Sequence, residues 1–311
     1  MTQIQLPAVV PQVAVPVVEA PSPRRRRSLA RLAAQSSGAT PASKLVYLCL
    51  AISVLLSAGP LYYMVVLASR PNSDITSVPP PLTPGDQLGT NVSRVFANQD
   101  VMFGQAMVNS VLVAGVATVS VVVLSALAGF AFAKLRFRGR NALLLIVIGT
   151  MMVPVQLGLV PLYMLMGKLG LAGTLPSALL PFLVSGFGVF MMRQYAAQAI
   201  PNELIEAARV DGASHFQIFW RLVVPMSVPA LASFAIFQFL WVWNDFFVAY
   251  LFIQSGPNRV MQQALYTLLG QYGQGWQKVA AGSFIVLVVP LVIFFALQRY
   301  FVRGLTAGSV K

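Results

Sequence analysis

Six long apolar stretches constrain this chain more than any other feature of its sequence. They lie at 45–68, 106–133, 141–166, 176–198, 226–252 and 279–302. Each reaches the length of about 20 residues that a helix needs to cross the hydrocarbon core of a bilayer. Because backbone polar groups must be satisfied internally in lipid, these stretches are predicted to be α-helices. The predicted fold class is therefore all-α, a polytopic membrane helical bundle with six transmembrane helices.

Composition agrees with a membrane protein and excludes other classes. The 311 residues are 57% hydrophobic and 9% charged, whereas soluble domains carry about 25% charged residues. A net charge of +13 would favour nucleic acid in a soluble protein. In a membrane protein, however, basic residues gather in cytoplasmic loops, so lipid rather than nucleic acid is the expected partner. Cys49 and His215 are the only residues of their types, so neither a disulfide nor a metal site is predicted.

The placement of basic residues predicts that both termini are cytoplasmic. Of the 21 Lys and Arg residues, five fall in the outer loops, namely Arg70, Arg94, Lys168, Arg259 and Lys278, and sixteen fall on the inner side. Such a bias sets the orientation of a polytopic protein. Residues 69–104 then form an extracytoplasmic loop, which its prolines and aspartates predict to be solvated.

Residues 1–44 are predicted to be a disordered, basic cytoplasmic tail. Prolines recur every few residues up to Pro23, and Arg24–Arg27 follow. An alternative is a signal peptide, since the arginine run loosely resembles a twin-arginine signal. The apolar stretch 45–68 is longer than the 7–15 residues or so of a signal-peptide core, which favours a retained first span. No function is assigned to the tail.

Residues 193–224, between the fourth and fifth stretches, are too polar to cross a membrane yet have a helical pattern. Pro201 suits a first helical turn, and Asp211-Gly212 suits a helix end. Ser214 and Gln217 are spaced as a capping box that opens a second helix. We therefore expect a helix-turn-helix on the cytoplasmic surface. The alternative is an amphipathic helix that rests on lipid headgroups.

The residues of this loop resemble a known motif. Glu206-Ala207-Ala208-Arg209-Val210-Asp211-Gly212-Ala213, followed by Val224-Pro225, is similar to the EAA motif of ATP-binding-cassette (ABC) importer permeases. The resemblance covers roughly residues 100–311 and includes 135–140 and 243–246. The C-terminal residues 298–311 are similar to the tail of the second permease subunit of maltose-type carbohydrate importers.

The resemblance implies a function and a set of partners. In that family the loop forms a coupling helix that docks in a groove of the ATP-binding subunit. The implied ATPase-coupling residues are Glu206, Ala207, Ala208, Asp211, Gly212, Ala213 and Pro225. The implied permease domain is 105–303, and its tail 304–311 would contact the ATPase through Thr306, Gly308 and Lys311.

The same resemblance implies an assembly in the plasma (inner) membrane of a prokaryote. Its members would be a second permease in a heterodimer, a dimer of ATP-binding subunits and an extracytoplasmic solute-binding protein. The implied substrate is a carbohydrate, of the di- or oligosaccharide class, imported by alternating access. An ABC permease for glycerol-phosphate compounds is an alternative.

The chain itself is predicted not to be an enzyme. A phosphate-binding loop needs glycines followed by Lys and Ser or Thr, but Gly270–Gly275 precedes Trp276-Gln277. No cofactor is expected on this chain, and ATP and Mg would be bound by the partner subunit.

Asp245 is the only acidic residue within a predicted span, and such residues are candidate functional sites. With Trp243 and Asn244 it could line a sugar pathway, for which Gln156 and Gln238 are weaker candidates. The alternatives are an interfacial aromatic belt and a structural hydrogen bond between helices. His215 could sense pH or simply be solvated.

Two other classes of function stay open at this point. An ATP-independent secondary transporter would show inverted repeats and charges near the bilayer midplane, and no repeat is evident. A membrane-anchored interaction protein would not require six spans.

Overall fold

A computed structural model describes residues 44–253, 256–270 and 275–307, with side chains described as far as residue 299. Within these ranges the chain consists of helices and the segments that join them. The helices are α1 Lys44–Ala68, α2 Asn72–Ile75, α3 Leu88–Phe96, α4 Phe103–Lys134, α5 Arg140–Met151, α6 Leu159–Lys168, α7 Leu175–Leu179, α8 Gly186–Ala199, α9 Asn202–Val210, α10 His215–Ile218, α11 Val224–Trp243, α12 Phe247–Phe252, α13 Met261–Leu268 and α14 Trp276–Ala307. The predicted tail at 1–44 lies outside the described residues except for Lys44.

In the described part of the chain, five helical stretches are long and apolar enough to cross a membrane: Lys44–Ala68, Phe103–Lys134, Leu175–Ala199, His215–Trp243 and Trp276–Arg299. The predicted all-α membrane bundle is thus confirmed. The described residues divide into two units at Gly59–Pro60. The packing that follows lies within the larger unit.

The third predicted span, 141–166, is sharply bent. The helical stretches Arg140–Met151 and Val155–Lys168 meet at an angle of 87°. Pro154 lies at the break with an extended backbone (φ −59°, ψ 126°). Proline has no N–H to donate and also disfavours helical geometry in the residue before it. The described residues therefore contain five candidate spans, or six if the bent pair counts as one.

The fifth predicted span, 226–252, is also corrected. The helix begins earlier, at His215, and ends at Trp243. Asn244 and Asp245 interrupt it, and the separate helix α12 follows at Phe247–Phe252. The two polar side chains bond to local backbone atoms, as detailed below.

Most of the segment 69–104 is exposed, including the run 82–86, which agrees with the predicted solvated connection, but its helix α3 packs one face inward. Its helix α3 buries Asn91 and Val95 completely. The Asn91 Nδ2 donates to the carbonyl oxygens of Ala68 (2.9 Å) and Arg70 (3.0 Å). An asparagine side chain thus satisfies carbonyls at the end of α1 that have no helical partner.

The helices α4 and α8 cross at unusually close range. A Cβ atom on Gly129 of α4 would lie 2.7 Å from the backbone nitrogen of Arg193 on α8. Only a glycine tolerates this separation, and small residues serve the same purpose in many membrane helix pairs. The crossing fixes α8 against α4 just before the chain enters the segment 200–224.

Candidate functional site

The turn after α9 depends on a glycine in the left-handed backbone conformation. Gly212 has φ 80°, and its N–H donates to the Arg209 carbonyl (3.0 Å). The next N–H, of Ala213, donates to the Ala208 carbonyl (2.9 Å). Both bonds satisfy carbonyls at the helix C-terminus, while a Cβ would strain this conformation. The predicted helix and its glycine turn are confirmed.

The predicted capping box is also confirmed. The Gln217 N–H donates to Ser214 Oγ (3.3 Å), and the Ser214 N–H donates to Gln217 Oε1 (2.8 Å). These reciprocal bonds begin α10 directly after the turn.

The second helix of this segment is not a separate surface helix, which corrects the helix-turn-helix prediction. It continues from α10 through a π-helical turn, Phe219–Val223, into the span α11. In this turn the Val224 N–H bonds to the Phe219 carbonyl. Pro225 in the first turn of α11 has no N–H, and a wide turn accommodates the missing bond. The second helix of the segment 200–224 and the fifth span are therefore one continuous helix, His215–Trp243.

One face of the segment 200–224 is fixed in an apolar core. Ile205 of α9 is buried together with Ile218, Phe219 and Val223, and they pack against Phe130, Met192 and Ile200. The rings of Phe130 and Phe219 lie 5.8 Å apart between centroids. Leu222 packs against this core as well, so the apolar side chains of the second helix share the buried face.

The opposite face is exposed. Four of the seven predicted coupling residues of this segment lie there on α9 or its turn: Glu206, Ala207, Asp211 and Gly212. Ala208 and Ala213 are half-buried against the core, and Pro225 is exposed on α11. Two large apolar side chains flank the turn, Val210 at 88% exposure and Phe216 at 67%. An apolar surface of this kind suits a protein contact.

A lysine joins the second span to this segment, and sequence reasoning missed it. The Lys134 Nζ at the end of α4 donates to the Ile200 carbonyl (2.6 Å) and to Asn202 Oδ1 (2.8 Å). Asn202 opens α9. The start of α9 is therefore attached to α4 as well as to its neighbours in the chain.

The candidate pathway residues are only partly brought together. Trp243 is buried and stacks on Phe239 with ring centroids 5.5 Å apart. It lines a narrow cleft with Asp245 and Ser110. Asn244, Gln156 and Gln238 do not line that cleft; Gln238 is buried, whereas Asn244 and Gln156 are exposed.

Local backbone contacts account for two of these polar side chains. The Asp245 Oδ1 accepts the Val248 N–H (2.9 Å) and so caps the first turn of α12. The Asn244 Nδ2 donates to the Leu240 carbonyl (2.8 Å) at the end of α11. Both contacts are structural, but they are local bonds and not the bond between helices named as an alternative above.

The predicted tail contacts are not described. Gly308 and Lys311 lie outside the described residues, as does the side chain of Thr306. Within the described part of the chain, no cluster of His, Cys, Asp and Glu could hold a metal ion.

The several apolar helices define a polytopic integral membrane protein. The segment 200–224, with its capped helix and one buried face, joins two of these helices. Residues 121–307, more than half of the chain, match the family described as "Binding-protein-dependent transport system inner membrane component". The chain belongs to this family. The family resemblance inferred from Glu206–Ala213 is thus confirmed.

Two relatives are permeases. The chain is 46% identical over 211 residues to the osmoprotective compounds uptake permease protein GgtD of Synechocystis, covering 67% of this chain and 70% of the relative. It is 45% identical over 216 residues to the alpha-glucoside transport system permease protein AglG of Rhizobium meliloti, covering 67% of this chain and 57% of the relative.

A solved structure shares the fold. A bacterial ABC transporter involved in the import of the acidic polysaccharide alginate matches with a TM-score of 0.69 and 23% identity. The match covers 89% of this chain and 98% of that chain. It supports the helical bundle as the family fold.

Proposed function

We propose that this chain is the permease subunit of an ABC importer that moves a carbohydrate of the di- or oligosaccharide class into the cytoplasm. The similarity to the alpha-glucoside transport permease AglG supports this choice, and α-glucosides are the first substrates to test. The observation that carries the mechanism is the exposed face of α9, which is attached rigidly to several spans.

Three attachments would transmit a force applied to α9. The chain connects α9 directly to α8, the Lys134 side chain connects it to α4, and the helix from His215 connects its turn to α11. The buried residues around Ile205 keep these parts packed together. A displacement of α9 would therefore move α4, α8 and α11 with it, because no flexible linker separates them from α9.

An ATP-binding subunit is the proposed source of that force. Ala207 and Gly212 are small and exposed, which allows a groove to approach the backbone closely. Glu206 adds a carboxylate on the same surface. In this proposal ATP and Mg are bound by a dimer of such subunits, while this chain holds no cofactor of its own.

The rest of the assembly follows from the same proposal. The sixteen-to-five distribution of basic residues supports cytoplasmic termini and a cytoplasmic segment 193–224. A second permease would complete the pathway, and an extracytoplasmic solute-binding protein would deliver the substrate to the other side. Residues 304–311 would add a contact with the ATPase.

Reconstitution tests the proposal. The full chain, its second permease, ATP-binding subunit and binding protein are placed in proteoliposomes, and uptake of a labelled α-glucoside is measured with and without ATP. We expect uptake only with ATP and the ATP-binding subunit. Uptake without that subunit would indicate a secondary transporter, and uptake of glycerol 3-phosphate alone would replace the carbohydrate assignment. External labelling of a cysteine placed at Val210 would overturn the orientation.

A further inference from the structure

A basic cleft separates the 135–140 loop from α9. Its volume is about 640 Å³, and its charged lining consists of Lys134, Arg136, Arg140, Arg209 and the single carboxylate Glu206. Four cationic side chains thus face one anionic side chain. The cleft lies where α4 ends and α5 begins, at the end of the membrane-spanning part.

The Glu203 carboxylate interacts electrostatically with Lys134, whereas Arg136, Arg140 and Arg209 form no ion pair with any described residue. The ion pair Arg70–Asp74 belongs to the segment 69–104 and lies outside this cleft. No other described residue forms an ion pair or hydrogen bond with the side chains of Arg136, Arg209 or Glu206. Arg140 uses one N–H on the Leu135 carbonyl (3.3 Å) and retains further donors. An anion could therefore be bound by two or more guanidinium groups.

An apolar surface begins beside the same cleft. Helix α5 starts at Arg140 and has no buried residue along its length. Leu143, Leu145 and Ile146 are 48%, 68% and 63% exposed. Cationic donors next to an exposed apolar helix match a molecule with an anionic head and hydrocarbon chains.

We propose that the cleft binds the phosphate headgroup of an anionic phospholipid, with its acyl chains along α5. Guanidinium groups bind phosphate oxygens in bidentate geometry, and basic pockets at the cytoplasmic ends of spans suit acidic headgroups. Because Glu206 and Arg209 belong to α9, the bound lipid would contact the helix that the proposed function assigns to the ATPase. Lipid binding itself does not require that assignment.

Native mass spectrometry of the full chain in its purified complex tests the site. The probe is phosphatidylglycerol, with phosphatidylcholine as the zwitterionic comparison. We expect the wild type to retain phosphatidylglycerol preferentially, and Arg136→Gln or Arg140→Gln to weaken retention about fivefold each, the effect of one basic residue at a membrane surface. Arg138→Gln is the matched control, because it removes the same charge from the same loop but does not line the cleft.

The outcomes separate the sources of phosphate and the classes of partner. Equal losses from Arg138→Gln and Arg136→Gln would overturn a specific site. Displacement of the lipid by excess inorganic phosphate would indicate a free-anion site instead. If Arg136→Gln and Arg140→Gln release the ATP-binding subunit but keep the lipid, the cleft binds a protein and the proposal fails. Lipid retention is measured separately from uptake. A failure of the transport proposal would therefore not change the conclusion about lipid binding.

Discussion

The Nζ of Lys134 lies 2.8 Å from Oδ1 of Asn202, although the two residues are 68 positions apart in the chain. This bond attaches the end of the second span to the first turn of α9. A charged donor makes it stronger than a neutral hydrogen bond.

The bond predicts a coupling defect in Lys134→Met. Loss of a hydrogen bond to a charged group costs about 1.5–3 kcal/mol, and α9 should then move partly independently of α4. We expect membrane insertion to persist while binding-protein-stimulated ATP hydrolysis falls several-fold in the reconstituted complex. Lys168→Met, on the exposed end of α6, is the control. Equal activity of the two variants would contradict a role for the bond.

The turn at Gly212 predicts a second defect. Valine in a left-handed conformation costs roughly 1–2 kcal/mol and would redirect the chain between α9 and α10. We expect Gly212→Val to abolish stimulated ATP hydrolysis and uptake without loss of insertion. Gly212→Asn should keep most activity, because asparagine adopts this conformation more readily. If both variants transport at the wild-type rate, the turn is not needed for coupling.

The exposed carboxylate of Glu206 predicts a defect in docking. Glu206→Lys reverses the charge on the surface proposed to meet the ATP-binding subunit, so co-purification of that subunit should fall sharply. Asp86→Lys makes the same charge change in the outer segment and should have no effect. Undiminished co-purification with Glu206→Lys would remove this residue from the docking surface.

The close crossing of α4 and α8 predicts a stability defect. Gly129→Val would place its Cβ 2.7 Å from the Arg193 backbone nitrogen, and backbone atoms cannot rotate away. We expect a lower thermal unfolding midpoint in detergent, consistent with the 1–3 kcal/mol or so typical of overpacking. Gly115→Val in the same helix meets no atom within 4 Å and serves as the control. Similar midpoints for the two variants would show that the helices separate easily.

The hydrogen bond from the Val248 N–H to Asp245 Oδ1 allows a test of whether Asp245 has a structural role or contacts substrate. Asp245→Asn keeps an oxygen that can accept the Val248 N–H, so we expect transport within about twofold of wild type and a preserved helix cap. Asp245→Leu removes the acceptor and should cost about 1 kcal/mol of stability. A severe transport loss in Asp245→Asn with normal stability would instead favour direct contact with substrate.

Short-range patterns were predictable, whereas contacts between distant residues were not. The Ser214–Gln217 capping box and the Gly212 turn depend on residues within a few positions of each other, and both were predicted. The Lys134–Asn202 bond depends on how two spans pack, for which the sequence carries no local signal. The break at Pro154 has a local cause, yet prolines such as Pro290 lie inside a continuous helix, so the residue alone did not determine the bend.

The end of the fifth span was also not predictable from the sequence pattern. Hydropathy continues through 226–252 and suggests one helix, because Trp243 and Phe246 are separated by only two polar residues. The side chains of Asn244 and Asp245 bond to local backbone atoms, and that geometry ends α11. Likewise, Asn91 looks like an ordinary loop residue until its two carbonyl acceptors are seen.

The continuous helix from His215 to Trp243 has a mechanical consequence. Its 29 residues correspond to roughly 43 Å of rise, so a tilt of about 10° at the Gly212 end would displace the far end by about 7 Å. Trp243 stands at that far end, in the wall of the narrow cleft it shares with Ser110 and Asp245. A small rotation at one membrane surface is thereby enlarged into a side-chain movement at the other.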